Sequence, residues 1–146
     1  EYPDPQVYHY SSSCYHCSDP KCVEGCPTGA MFIEGGTVQN DPSKCIGCRY
    51  CTWSCPYQIP QFDEVSKSVS KCTFCKDLLD LGKNPACVDA CPARALEWGD
   101  LEELKKKHSN AVSDIAILPS SKYTFPSVLI DIKEAARLKD FVRKDL

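Results

Sequence analysis

Short apolar runs, separated by glycine, proline and polar residues, recur along the first half of the chain and predict small elements of structure. Residues 30–39 place Gly35 and Gly36 between two β-prone runs, a pattern typical of a β-hairpin. Residues 57–64 and 66–70 indicate a second short hairpin or loop. Each pair of runs follows a cysteine-rich loop with a short helical turn, so this half is interpreted as one unit that occurs twice.

The pattern changes in the second half of the chain. Residues 77–81 have the spacing of a short amphipathic helix, and Gly82 is expected to end it. Asp100 and Glu103 suit a capping box, which predicts a further helix that runs through His108.

The carboxyl-terminal part predicts a small α/β extension. Residues 112–118 and 127–132 are predicted strands, joined by a loop over residues 119–126. Residues 132–144 carry apolar side chains at helical spacing, which suits either an ordinary core or docking on a neighbouring subunit. The predicted fold class for the whole chain is therefore α+β.

Charge and hydropathy exclude two classes of protein. The 146 residues carry 17 basic and 20 acidic side chains, a formal charge of −3, and no basic stripe that would favour nucleic acid. No apolar run approaches the roughly 20 residues that span a bilayer. The amino terminus lacks the features of a signal peptide and an initiator methionine, so we expect the start of a fragment or of a processed chain.

Twelve cysteines carry the candidate chemistry, and they fall into three sets of four. Proline follows the last cysteine of each set. In chain order the sets are Cys14, Cys17, Cys22 and Cys26; Cys45, Cys48, Cys51 and Cys55; and Cys72, Cys75, Cys87 and Cys91.

These sets have three interpretations. Disulfides are common in small cysteine-rich proteins, but cysteines so close in sequence rarely bridge each other and would each need a distant partner. A structural zinc ion suits two closely spaced cysteine pairs, as in the third set. Iron–sulfur clusters suit the first two sets, because soft thiolates favour them. In the second set, three cysteines within seven residues can wrap a cubane.

The second set resembles the cysteine run of bacterial ferredoxins, whose spacing it matches residue for residue. In two-cluster ferredoxins the fourth cysteine of each run binds the other cluster. The resemblance therefore implies two 4Fe-4S ligand sets, namely Cys14, Cys17, Cys22 and Cys55, and Cys26, Cys45, Cys48 and Cys51. Proline restricts the preceding cysteine to an extended backbone, which aims that thiolate away from its own loop.

Five further motifs follow one another along the chain: Cys45-Ile46-Gly47-Cys48-Arg49-Tyr50-Cys51, Cys55-Pro56-Tyr57, Lys71-Cys72-x₂-Cys75, Cys87-Val88-x₂-Cys91-Pro92-x-Arg94-Ala95-Leu96 and Leu101-x₂-Leu104. In this order they resemble the iron–sulfur electron-transfer subunit of dimethyl sulfoxide reductase and its relatives in polysulfide, thiosulfate and formate systems. The resemblance implies up to four 4Fe-4S clusters in two ferredoxin-like halves. It also implies a bacterial or archaeal source. The partners that it implies are a molybdopterin catalytic subunit and a quinol-reacting membrane anchor.

The sequence departs from that family in one respect. The resemblance implies another cysteine group upstream of residue 1, which would complete the third set. On this pattern a third cluster on Cys72, Cys75 and Cys87 lacks its fourth ligand, and Cys91 serves a cluster whose other ligands are missing. We therefore expect the chain to be a segment of a longer subunit or a divergent short form. The expected domains are a two-cluster ferredoxin-like domain over 6–70, half of a second ferredoxin-like lobe over 71–98 and an extension over 99–146.

The expected function is electron transfer within an oxidoreductase complex, and we expect no catalysis by this chain itself. We expect the chain to be associated with the membrane through its partner subunits, on either the cytoplasmic or the periplasmic face. No nucleophile–base pair, phosphate loop or other cofactor motif occurs in the sequence. His16 lies inside the first cysteine loop, where packing explains it more simply than hydrogen bonding to a cluster. The alternatives are a zinc-stabilised interaction module without a redox role and a stand-alone polyferredoxin.

Overall fold

The structure is a computed structural model that describes residues 9–133. It is a small mixed arrangement of short helices and two antiparallel hairpins, as the sequence predicts. In chain order the elements are α1 (Lys21–Glu24), β1 (Met31–Glu34), β2 (Thr37–Asn40), α2 (Tyr50–Ser54), β3 (Gln61–Asp63), β4 (Ser68–Ser70), α3 (Lys76–Asp80), α4 (Ala86–Ala90), α5 (Leu101–Lys107) and a 3₁₀ turn (Ser121–Tyr123).

The first hairpin forms where two glycines separate the apolar runs. Strand β1 pairs with β2 so that Met31 lies opposite Asn40. At the turn Gly35 and Gly36 have φ of 56° and 76°, the left-handed conformation that a tight two-residue hairpin turn requires. Met31 and Val38 lie on one face of the hairpin and are both buried in the core. The pairing confirms the predicted hairpin.

The second apolar pair also forms a hairpin. Strand β3 pairs with β4 so that Gln61 lies opposite Ser70. The carboxylate of Asp63 accepts hydrogen bonds from the backbone N–H groups of Val65 and Ser66, and these bonds hold the turn. The sequence left a hairpin or a loop open here, and the structure selects the hairpin.

The buried core is small and draws on both hairpins and both cysteine loops. Helices α1 and α2 lie against each other. The core cluster of the described residues consists of Cys22, Met31, Val38, Cys51 and Val69. Two of these five core side chains are thiols, so two of the candidate ligands belong to the interior of the fold.

The two helices predicted in the second half form close to their predicted bounds, and the structure adds α4, which the sequence analysis does not predict. Helix α3 ends before Gly82, whose φ of 68° is the left-handed conformation that commonly ends a helix. Helix α5 begins at Leu101, and the carboxylate of Asp100 accepts hydrogen bonds from the N–H groups of Glu102 and Glu103 at 2.9 and 3.1 Å.

The two strands predicted over 112–118 and 127–132 are wrong. A single bridge joins Val112 and Ile130 there. The intervening segment turns instead of extending, because the carboxylate of Asp114 accepts hydrogen bonds from both the backbone N–H and the hydroxyl of Ser121. The extension is thus one helix and an irregular segment over the residues that the structure describes.

Two further expectations concern the carboxyl-terminal helix and the membrane. The helix predicted over 132–144 lies almost wholly outside the described residues. Within residues 9–133 no helix has the length and apolar character needed to cross a bilayer.

Candidate metal centres

Four cysteines from two different loops line one pocket between the hairpins. They are Cys26, Cys45, Cys48 and Cys51, and the apolar side chains of Met31 and Val69 complete the wall. Three of these cysteines belong to the second set, and Cys26 comes from the first. The sulfurs are close enough that, after burial, the charges of Cys48, Cys26 and Cys45 raise the pKa of Cys51 to about 11.

A second group of thiols gathers around helix α1. Burial is the main reason that the pKa of Cys22 rises to about 12, and the charges of Cys55, Cys14 and Cys17 add to it. Cys55 belongs to the second set, whereas the other three cysteines belong to the first. Each group of four therefore contains three cysteines of one set and the fourth of the other.

Two of the three Cys-Pro steps, those at Cys55 and Cys91, have the predicted backbone conformation. Cys55 has φ of −77° and ψ of 113°, and Cys91 has φ of −74° and ψ of 108°. Both residues directly follow a helix, α2 for Cys55 and α4 for Cys91. The extended cysteine thus turns the backbone away from the helix that carries the preceding cysteine.

Backbone N–H groups already point at several of the sulfurs. These N–H···Sγ bonds are Met31 to Cys26 at 3.4 Å, Val69 to Cys45 at 3.5 Å, Phe74 to Cys72 at 3.4 Å and Ala95 to Cys91 at 3.4 Å. The N–H of Ala95 is the main reason that the pKa of the Cys91 thiol is lowered. Burial tends to raise the pKa of the Cys26 thiol, but hydrogen bonds from backbone N–H groups, led by Met31, and from the Thr28 hydroxyl together lower it. Such donors stabilise a metal-bound thiolate.

Three cysteines of the third set lie on or beside α3 and α4. Cys75 precedes α3, Cys87 is exposed on α4 and Cys91 follows it. The charge of Cys72 adds to burial in raising the pKa of Cys14, which indicates that Cys72 lies close to the first group. The structure brings Cys72 toward that group and leaves Cys87 on the surface.

The side chain of His16 serves packing. It is buried, its Nδ1 accepts a hydrogen bond from the N–H of Val38 at 3.1 Å, and its ring meets Phe74 edge to face at 5.2 Å. Burial, followed by the charge of Lys71, lowers the pKa of His16 to about 4, so the ring is neutral near pH 7. Packing is the interpretation that the sequence favours.

Sequence reasoning missed one functional candidate, Lys71. Its Nζ donates hydrogen bonds to the backbone carbonyls of Val38 and Cys72. The only signal in the sequence is its place directly before the first cysteine of the third set.

All twelve cysteines are free thiols. Among residues 9–133 no three Cys, His, Asp or Glu side chains converge on a point where one ion could bind. Soft sulfur donors in groups of four, with N–H groups directed at them, fit iron–sulfur clusters.

Comparison with known proteins decides between iron–sulfur and zinc. Residues 5–101 match the family described as 4Fe-4S dicluster domain. The sequence is 46% identical over 125 residues to the B subunit of anaerobic dimethyl sulfoxide reductase of Escherichia coli K12, a match that covers 85% of this chain and 60% of that protein. It is 45% identical, with the same coverage, to YnfG of the same strain, a probable anaerobic dimethyl sulfoxide reductase subunit. With protein NrfC, also of that strain, it shares 44% identity over 106 residues, 70% of this chain and 48% of NrfC.

These matches confirm the resemblance to the dimethyl sulfoxide reductase systems that the motifs indicate. The chain spans about 60% of the length of the first two relatives. The family match covers all three cysteine sets and selects iron–sulfur clusters over zinc and disulfides. This chain therefore belongs to the 4Fe-4S dicluster domain family, and its cofactors are 4Fe-4S clusters.

Proposed function

We propose that the chain is an electron carrier whose residues 6–70 form a duplicated, ferredoxin-like two-cluster domain. One cluster has the ligands Cys14, Cys17, Cys22 and Cys55, and the other has Cys26, Cys45, Cys48 and Cys51. The observation that carries this proposal is the pocket that Cys26 of the first set lines together with three cysteines of the second set, and it supports an exchange of the fourth cysteine between the two groups. That exchange gives each cluster four thiolates and ties both halves of the domain together.

Residues 71–98 supply the start of a second lobe. Cys72, Cys75 and Cys87 contribute three ligands of a third cluster, and Cys91 contributes one ligand of a fourth. The remaining ligands come from another segment of the same subunit, which agrees with a chain that spans about 60% of its relatives. Residues 99–146 form an extension without cysteines.

The chain works within a complex and does no catalysis by itself. Two relatives are called parts of a dimethyl sulfoxide reductase. In a complex of that kind this chain relays electrons between a quinol-reacting membrane anchor and a molybdopterin catalytic subunit, and it is membrane-associated through them. Its own residues supply thiolates, N–H donors to sulfur and an apolar surround, which together set the cluster potentials.

The first test is chemical analysis after anaerobic reconstitution. Two cubanes give about eight irons and as many acid-labile sulfides per chain, with visible absorbance and an EPR signal on reduction. Fewer than about four irons, or stoichiometric zinc without absorbance, would contradict electron transfer and favour the interaction module. Co-purification with a large molybdenum enzyme separates a subunit from a stand-alone carrier.

The second test assigns the ligands by comparing four serine variants. With exchanged ligands, Cys55→Ser and Cys22→Ser abolish the same EPR signal, and Cys26→Ser and Cys51→Ser abolish the other. Without exchange, Cys55→Ser would group with Cys51→Ser instead. The control is Cys87→Ser, which leaves both signals intact.

A further inference from the structure

One cation lies beside the first group of four cysteines. Lys71 follows strand β4 and is half-buried. Its Nζ donates hydrogen bonds to the carbonyls of Val38 and Cys72. Among residues 9–133 no carboxylate pairs with it, whereas other lysines such as Lys21 and Lys76 form ion pairs. Its charge is therefore left to act on the groups around it.

The charge of Lys71 lies close to the first group of four. Lys71 lines one open pocket together with Cys14 of that group and Cys72 of the third set. Lys71 thus lies where the first group of four meets the third set.

Val38 of β2 helps to hold Lys71 in this place. The carbonyl of Val38 accepts from Lys71, and the N–H of Val38 donates to His16 in the first cysteine loop. Val38 is 1% exposed, so both bonds lie at a rigid point of the core. The ammonium group is positioned by the fold and does not sweep through solvent as surface lysines do.

We propose that Lys71 is a positioning residue that raises the reduction potential of the cluster on the first group of four cysteines. The proposal rests on the ligand set given under the proposed function. One electron from a neighbouring cluster enters this cluster, whose net charge falls by one. A fixed positive charge stabilises the more negative, reduced cluster, because attraction is strong where water is scarce.

The test is an EPR-monitored redox titration of the reconstituted full chain. Lys71→Met is expected to lower the midpoint of the signal that Cys22→Ser abolishes. A tenfold loss in the equilibrium constant for reduction corresponds to about 59 mV for one electron. In Lys71→Met the midpoint of the signal that Cys51→Ser abolishes is expected to shift less. Lys71→Arg keeps the positive charge and is expected to keep the midpoint of the unmodified protein.

A second variant guards against a folding defect in the first. Ser70 lines an open pocket together with Lys71, Cys14 and Cys72. Ser70→Asp places a carboxylate beside Lys71 without removing its hydrogen bonds, and it is expected to lower the same midpoint. Lys106→Met, on the exposed surface of α5, is the matched control and leaves both midpoints unchanged.

An unchanged midpoint in either Lys71→Met or Ser70→Asp, with iron content intact, overturns the proposal. Equal shifts in both signals also overturn it, because they would reflect net charge alone. Failure of the proposed function is distinguishable, since it shows as missing iron or as a different grouping of the cysteine variants.

Discussion

Replacement of Gly47 by alanine tests how the second cysteine loop is built. Gly47 lies between Cys45 and Cys48 with φ of 67°. A Cβ at this position would lie 2.6 Å from the carbonyl oxygen of Lys67 and 3.1 Å from Cε2 of Phe62. The obstacle is backbone of the second hairpin, which cannot rotate away as a side chain can.

Two costs add at this position. The left-handed conformation costs a residue with a Cβ about 1–2 kcal/mol. Relief of the overlap with the Lys67 carbonyl adds about 1–3 kcal/mol, the range for overpacked interiors. Gly47→Ala is therefore expected to lower the free energy of unfolding by about 2–5 kcal/mol, out of a total stability of about 5–15 kcal/mol.

The assay is denaturant unfolding of the reconstituted protein, followed by visible absorbance and by the two EPR signals. Because Gly47 belongs to the loop of Cys45 and Cys48, the signal that Cys51→Ser abolishes should be lost first. Gly29→Ala is the matched control, since Gly29 has φ of 66° and no atom within 4 Å of its added Cβ. Equal destabilisation by Gly47→Ala and Gly29→Ala, or earlier loss of the other signal, would refute this reasoning.

Three further predictions concern packing and charge. Gly25→Ala is expected to reduce stability, because its Cβ would overlap the ring of Tyr50. Tyr50→Ala in the same protein should restore the stability, since that half-exposed ring supplies the two atoms nearest to the added Cβ. Failure of the double variant to recover stability would count against this explanation. Val38→Ala should cost about 2 kcal/mol in denaturant unfolding, because it leaves a cavity in a core position that is 1% exposed, and an unchanged midpoint would contradict that placement. Asp114→Asn should lower the unfolding midpoint near pH 7, where hydrogen bonds from the N–H and then the hydroxyl of Ser121 hold the pKa of the carboxyl below its usual range. This contribution is present above the ordinary carboxyl pKa and is lost as pH falls through the lowered one, so the difference between the two proteins should shrink in acid; a constant difference would refute it.

Local chemistry explains what the sequence predicts well. The turn at Gly35 and Gly36, the cap at Asp100 and the extended cysteines before proline each depend on residues within a few positions of one another. Their backbone conformations follow from glycine, from a carboxylate beside free N–H groups and from the proline ring. The structure has each of them where the sequence predicts it.

The features that sequence reasoning missed depend on distant partners. The strand pattern over 112–118 fails because Asp114 is bound to Ser121, a contact that apolar periodicity does not register. Lys71 shows no pattern of its own, since its role depends on Val38, which lies 33 positions earlier. The grouping of Cys55 with the first set could be inferred only from resemblance to ferredoxins, because spacing within one set cannot report where the other set folds.

The two thiols in the apolar core link metal supply to the lifetime of the protein. Cys22 and Cys51 pack among Met31, Val38 and Val69, so we expect clusters bound to these thiols to stabilise the core. A chain that has not received iron and sulfide keeps an unfinished core and opens more often. Proteases cleave such opened states, so we expect a chain without clusters to be degraded faster than the loaded protein. Oxidative loss of a cluster should shorten the lifetime of the protein in the same way.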